Sequence, residues 1–247
     1  MKSGSPRLSS TRQIKLPTYF HGQLIWLSKS CWSSVYSRYE PYMADAIKAH
    51  LPRGATFWDV GANIGLISLF ASKIAGPDGH VLSFEPSPDV LALLRRNTEG
   101  KKNIKVLPYG IGNADTLKSF AAQGTSTAAS FVEDVTAINR RFQPDQPIEQ
   151  VTVTMRKLDT LLDAALSPAP SLVKIDIEGF ELEALRGVDR LLSSIGPKLL
   201  MEIHPGQLTL SGGSEDELFQ RLREHQYHWA IIDQNPNSLY SILASPM

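Results

Sequence analysis

The sequence predicts an α/β fold, a mostly parallel sheet with helices on both faces and an antiparallel hairpin at its C-terminal end. Three observations predict it. From Thr56 onward, short apolar runs alternate with stretches whose apolar residues recur at helical spacing. The runs TFWDV, VLSFE, IKVLPYGIG and LVKIDIEG are largely apolar, as strands buried on both faces are. The last two runs, HWAIID and LYSIL, flank the turn residues NPNS, which is a hairpin pattern. Strands and helices in this alternation give a parallel sheet covered on both sides.

The elements follow in order. Residues 1–37 read as a basic, partly flexible arm, because Lys2, Arg7, Arg12, Lys15, Lys29 and Arg38 all precede the first acid, Glu40. Residues 38–247 read as a single domain. PYMADAIKAHL is a helix with Met43, Ile47 and Leu51 on one face, stopped by Pro52 and Gly54. The strand TFWDV runs into Gly61. The helix after it carries Leu66, Leu69, Phe70 and Ile74 on one stripe. GPDG is a turn, VLSFE the second strand, and Ser87 with Pro88 opens the helix DVLALLRRN. IKVLPYGIG is the third strand. Residues 113–150, polar and proline-bearing, read as an inserted set of loops and short strands, LKSFAA among them, on the acceptor side. VTVTMRKL is a strand. LVKIDIEG is the fourth strand of the main series, FELEALRGVDRLL a helix, and KLLMEIH the fifth strand. Ser214 and Glu217 form a capping box for the helix EDELFQRLREH. The closing hairpin adds an antiparallel strand at one edge.

Composition narrows the function. Lys plus Arg equals Asp plus Glu, 25 against 25, so no excess positive charge exists to hold nucleic acid. Cys31 is the only cysteine, which excludes an intrachain disulfide and a cysteine zinc cluster. No apolar run reaches the length of a membrane span. These features point to the cytoplasm.

Ligands of such sheets bind at the carboxyl ends of the strands. The first of these ends, DVGANIG, is a glycine turn, but not the dinucleotide one. The dinucleotide pattern sets glycines at the first, third and sixth places, where this chain has Gly61, Asn63 and Leu66. The second glycine comes at Gly65. Asp59 beside the turn would repel a pyrophosphate and attract an ammonium or other cation. Glu85, closing the second strand, is placed to accept hydrogen bonds from both hydroxyls of a ribose. S-adenosylmethionine offers a ribose, an ammonium and a sulfonium, with no phosphate, and suits this pattern better than a dinucleotide. Gly112 and Asn113, just past the third strand, join the cofactor set. A nicotinamide oxidoreductase and a non-catalytic module that binds the cofactor or a nucleotide are the rival readings.

FWDVGANIGLISLFAS, VLSFEPSPD, VKIDIEGFELEALRG and MEIHP, in that order and spacing, resemble the FkbM-type methyltransferases over roughly residues 38–230. The resemblance implies an S-adenosylmethionine-dependent enzyme of the class I methyltransferase fold, a Rossmann-like seven-stranded sheet with its last strand antiparallel. It implies that Asp59, Gly61, Asn63 and Gly65 line the methionine end of the cofactor and Glu85 the ribose. RYEPYMADAI resembles the family's upstream helix, where Tyr39 and Glu40 would close over the cofactor. The family mostly methylates oxygen on small molecules and sugars, so the implied partner is a small-molecule or saccharide acceptor.

A neutral hydroxyl is a poor nucleophile and needs a general base or a metal ion to lower its pKa. Asp176 and Glu178 end the fourth strand two residues apart, which puts them on one side of an extended chain. His204 ends the fifth strand after Glu202. Neighbouring strands would bring Asp176, Glu178 and His204 together. The sequence reading takes His204 as the base, with no metal, and keeps a divalent cation held by the carboxylates and imidazole as the alternative. After the fourth strand the chain has Asp-Ile-Glu-Gly where amine-methylating enzymes often carry Asn-Pro-Pro-Tyr, which argues against nucleic-acid bases as acceptors.

Overall fold

The structure, a computed structural model, describes residues 11–15, 24–28, 41–122, 131, 148–234 and 239–247. Tyr39, Glu40, Cys31, Asn235 and most of the 113–150 insertion lie outside them. Two short strands, β1 (Thr11–Lys15) and β2 (Leu24–Ser28), pair antiparallel within the stretch read from sequence as an arm. Then come α1 (Pro41–His50), β3 (Thr56–Val60), α2 (Leu66–Ala75), β4 (His80–Phe84), α3 (Pro88–Asn97) and β5 (Ile104–Leu107), in the predicted alternation. Strands β6 (Tyr109–Ile111), β7 (Thr116–Ala122) and β8 (Glu149–Arg156) follow, then α4 (Leu158–Asp163) and β9 (Leu172–Ile175). The chain continues through α5 (Glu181–Leu185), a π-helical turn at Leu191–Ile195, β10 (Lys198–Ile203), α6 (Pro205–Leu210) and α7 (Glu215–Glu224). It closes with β11 (Tyr227–Gln234) and β12 (Tyr240–Pro246).

The main sheet has seven strands in the order β11-β12-β10-β9-β3-β4-β5. Strands β10, β9, β3, β4 and β5 run parallel, while β12 is antiparallel to both β10 and β11. The antiparallel strand is therefore inserted beside β10, and β11 forms the edge, where the sequence reading put the antiparallel strand itself. The predicted third strand also divides. Pro108 has no N–H to give a ladder. Residues before it join the main sheet, and those after it form β6 of a second, three-stranded sheet with β8 and β7.

Every residue of β3 is buried, because helices cover both faces. Successive side chains point to opposite sides. Trp58 and Val60 pack with Phe84, Ile175, Met201, Leu182, Leu218 and Leu222. Phe57 packs on the other side with Val81, Leu200 and the apolar faces of α1 and α2, from Met43, Ile47, Leu69 and Phe70. The parallel strands end together along one rim, since Val60 pairs with Phe84 on one side and Ile175 on the other. That rim carries the candidate site.

The helix predicted over FELEALRGVDRLL breaks in two. Gly187 lies so close to the second sheet that a Cβ there would sit 2.3 Å from the Gly112 carbonyl oxygen. Asp159 accepts hydrogen bonds from the Arg190 and Leu191 amides, at 3.0 and 2.9 Å. A carboxylate from another element thus starts the second piece, a contact that helical spacing alone cannot reveal. Elsewhere local chemistry holds: Ser214 Oγ accepts from the Glu217 amide at 3.2 Å and caps α7.

Candidate active site

The turn after β3 is shaped by backbone geometry. Gly61, Asn63 and Gly65 all have positive φ, at 77°, 51° and 91°. A Cβ on Gly61 would stand 2.0 Å from the Asp176 carbonyl oxygen, so glycine is what lets the ends of β3 and β9 meet. The Glu85 carboxylate reaches back over the turn from the end of β4. Its Oε2 accepts from the Asn63 amide at 3.0 Å and its Oε1 from the Ser87 amide at 2.8 Å. Burial pushes this carboxyl up to about 7, against the pull of those two amides and of Lys174. Each oxygen keeps acceptor capacity for a further donor.

Asp59 lies beneath the turn and is fully buried. Ser68 Oγ donates to its Oδ2 at 2.5 Å, and Lys174 Nζ stands 3.4 Å from its Oδ1. Lys174 also donates to the Gly61 carbonyl at 2.8 Å and lies 3.2 Å from Asp176 Oδ2. The lysine is thus a brace across β3 and β9. Asp59 in turn braces the turn through Ser68 and Lys174.

Strand β9 ends at Ile175, one residue before Asp176. Glu178 and Gly179 take left-handed backbone, with φ of 53° and 93°. The expectation that Asp176 and Glu178 share one side of an extended strand is therefore corrected: a tight turn presents them. A Cβ on Gly179 would lie 2.6 Å from the Gln207 backbone, so the turn packs directly on α6. The two carboxylates still converge on His204, as the sequence predicts. His204 Nε2 is 3.6 Å from Glu178 Oε2 and 4.0 Å from Asp176 Oδ1. The other ring nitrogen, Nδ1, is 2.8 Å from Glu181 Oε1, which also accepts from the Gly179 amide at 3.0 Å. His204 and Glu181 are both fully buried. Burial opposes a charge on the imidazole, but Glu178, Glu181 and Asp176 together outweigh it and raise its pKa well above the usual range. Glu202, also buried, completes the group: Asp176, Glu202 and His204 each offer a ligand atom, all within 4.8 Å of one another.

Glu181 escaped the sequence reading. In FELEAL it looks like an ordinary acid in the first turn of a helix, and only the packing shows it inside. Gly112 and Asn113 sit past β6. The Gly112 amide donates to the Arg156 carbonyl at 3.1 Å, and a Cβ there would stand 2.6 Å from Met155 and 3.1 Å from Phe180. Asn113 is exposed.

Comparison with known proteins is decisive for the family. The family described as methyltransferase FkbM domain matches residues 59–229, which include every strand end just described. The chain belongs to the FkbM methyltransferase family. One relative is the hexuronic acid methyltransferase AglP of Haloferax volcanii, 30% identical over 149 residues, covering 60% of this chain and 56% of AglP. Another is the 31-O-demethyl-FK506 methyltransferase FkbM of Streptomyces tacrolimicus, 26% identical over 210 residues, covering 74% of this chain and 76% of the relative. Over several curated relatives the match is partial; the chain spans 56% of AglP and 61% of methyltransferase 1 of Beauveria bassiana. A methyltransferase FkbM from Methylobacillus flagellatus has the same fold, with a TM-score of 0.50 at 17% identity, over 92% of this chain and 57% of that one.

Fold and family make S-adenosylmethionine the cofactor of this FkbM-type chain, and its residues fit that molecule. The buried Glu85 carboxylate retains acceptor capacity for ribose hydroxyls. The rim carries Glu85, Asp176 and Glu178 and commits its lysine to Asp59 and Asp176, a setting hostile to phosphate and suited to a sulfonium and an ammonium. Among the described residues, no helix is long and apolar enough to cross a membrane.

Proposed function

We propose that this protein transfers a methyl group from S-adenosylmethionine to a hydroxyl oxygen of a small molecule or a saccharide. The observation that carries the reading is the placement of Asp176 and Glu178 one strand, and His204 two strands, away from the glycine turn, where an acceptor beside the cofactor would meet them. When bound, the cofactor supplies an electrophilic methyl on a positively charged sulfur. The chain's own residues do the rest. Gly61, Asn63, Gly65 and Glu85 hold and orient the cofactor, and Lys174 fixes the turn to β9. The cluster around His204 draws the proton from the acceptor hydroxyl, since without that step an alcohol is too weak a nucleophile. Positioning supplies much of the rate in such a displacement.

Membership of the FkbM family supports this reading, as do two relatives named for a hexuronic acid and for 31-O-demethyl-FK506. Among the described residues the rim offers the carboxylate acceptors of Glu85, Asp176 and Glu178, which suit a hydroxyl-bearing substrate. Residues 113–150 are the segment we assign to acceptor choice, and Glu40, Gly112 and Asn113 remain assigned to the cofactor side. The single cysteine supports the cytoplasm as the compartment.

The test is a titration with S-adenosylhomocysteine and, separately, with NAD, followed by a labelled-methyl assay against uronic acids, neutral sugars and small alcohols. Binding of the first, none of the second, and label on oxygen are expected. Binding of NAD alone, or label on nitrogen only, would overturn the proposal.

A further inference from the structure

The cluster at the ends of β9 and β10 has a feature that a simple proton acceptor does not explain. His204 Nε2 is completely buried and makes no hydrogen bond, while its ring is held from the opposite side by Glu181. A buried nitrogen without a partner is costly and calls for an explanation. It points at carboxylates, Glu178 and Asp176, with Glu202 alongside. Four acids, Asp176, Glu178, Glu181 and Glu202, gather around one imidazole, and Lys174, which pairs with Asp176, is shared with Asp59. With the imidazole neutral, the place between Nε2 and the carboxylate oxygens is where a cation would offset the acids.

We propose that Asp176, Glu202 and His204 hold a divalent cation, and that this cation binds the acceptor's hydroxyl oxygen. The inference rests on the methyl-transfer reading for its purpose but not for its chemistry. Two carboxylates and one neutral imidazole, with no thiolate, suit Mn²⁺ or Mg²⁺, and three protein ligands leave positions for substrate oxygens. The ligand atoms lie within 4.8 Å of one another. Bonds of about 2.1 Å bring ligand atoms in one shell to within about 4.2 Å, so small side-chain rotations close the site. Glu181 is the outer carboxylate expected of a metal-bound histidine: it accepts a hydrogen bond from Nδ1–H, which keeps the proton on Nδ1 and leaves Nε2 free for the metal. The cation lowers the pKa of the bound hydroxyl, whose proton passes to Glu178, the acid of the cluster outside the ligand set. His204 is then a ligand, in place of the base that the sequence suggests.

The experiment uses the 247-residue chain, stripped with chelator and titrated with Mn²⁺ alone, read by calorimetry and electron paramagnetic resonance. One saturable site per chain is expected, with nitrogen coupling from an imidazole that disappears in His204→Ala. Asp176→Asn and Glu202→Gln should each weaken binding at least tenfold, and Glu181→Gln tenfold to a hundredfold. Circular dichroism checks folding, and Asp176, partly exposed, serves if a buried variant fails to fold. No saturable binding to the folded wild type, or equal binding in all the folded variants, would overturn the site. The methyl-transfer assay, run with and without chelator, separates the two proposals. Undiminished transfer to a hydroxyl in chelator removes the cation and leaves the function. Mn²⁺ binding at one site without transfer to any hydroxyl leaves the metal centre and removes the function.

Discussion

His204 Nδ1 and Glu181 Oε1 lie 2.8 Å apart, both fully buried, and they join the end of β10 to the start of α5. Truncating one partner strands the other in the interior, which costs about 3–5 kcal/mol in comparable buried pairs. Glu181→Leu and His204→Leu should each lose about that much in urea denaturation. The double variant should lose clearly less than the sum. Strict additivity would show that the pair is not coupled.

Glu85 sets up an opposition between stability and cofactor binding. Its carboxyl is raised from 4.5 to about 7 in the folded chain, with Lys174 and Asp59 the charged groups facing it. The folded state therefore holds the proton more tightly than the unfolded state does. The stabilisation is complete below pH 4.5 and lost as pH rises through 7, a change of about 3 kcal/mol. Thermal melts of the cofactor-free chain should show that decline. Affinity for S-adenosylhomocysteine should move the other way, falling about tenfold from pH 8 to pH 6 as the ribose acceptor is protonated. Glu85→Ala should weaken binding by about 1.5–3 kcal/mol and remove the pH dependence, as calorimetry can determine.

Gly61 and Gly54 share a φ of 77° but differ in surroundings. At Gly61 an added Cβ would meet the Asp176 backbone at 2.0 Å, while at Gly54 nothing lies within 4 Å. Gly54→Ala should cost only the left-handed strain, about 1–2 kcal/mol. Gly61→Ala adds overpacking, for about 2–5 kcal/mol in all, and should abolish cofactor binding. Normal binding by a folded Gly61→Ala would mean that the turn is not the cradle.

Asn97 ties the N-terminal hairpin to the cofactor turn. Its amide nitrogen donates to the Ile64 and Trp26 carbonyls at 2.8 and 3.1 Å, and its oxygen accepts from the Trp26 amide at 2.6 Å. Arg96 stacks its guanidinium 3.5 Å from the Trp26 ring centre. Asn97→Ala should cost about 2–3 kcal/mol and speed hydrogen exchange at the Trp26 amide. Unchanged exchange there would show that the hairpin is held by other contacts.

The sequence by itself determined the alternation of strand and helix, the glycine turn, the acid at the end of β4, and the family. These are local: each needs only a few consecutive residues, a period of side chains, or a motif with fixed spacing. Ser214 over α7 and Pro88 at the start of α3 were legible for the same reason. Only the tertiary structure decided that β12 lies inside the sheet, that Pro108 sends the chain into a second sheet, and that the helix after Gly179 breaks where Asp159 caps Arg190 and Leu191. It alone placed Lys174 between Asp59 and Asp176, and Glu181 behind His204. Those relations join residues far apart in the chain, and whether an acid is buried depends on what packs over it. The sequence brought Asp176, Glu178 and His204 to one rim because parallel strands end together. Which of their atoms face one another was fixed by the left-handed turn at Glu178 and Gly179, whose backbone a pattern of side chains does not record.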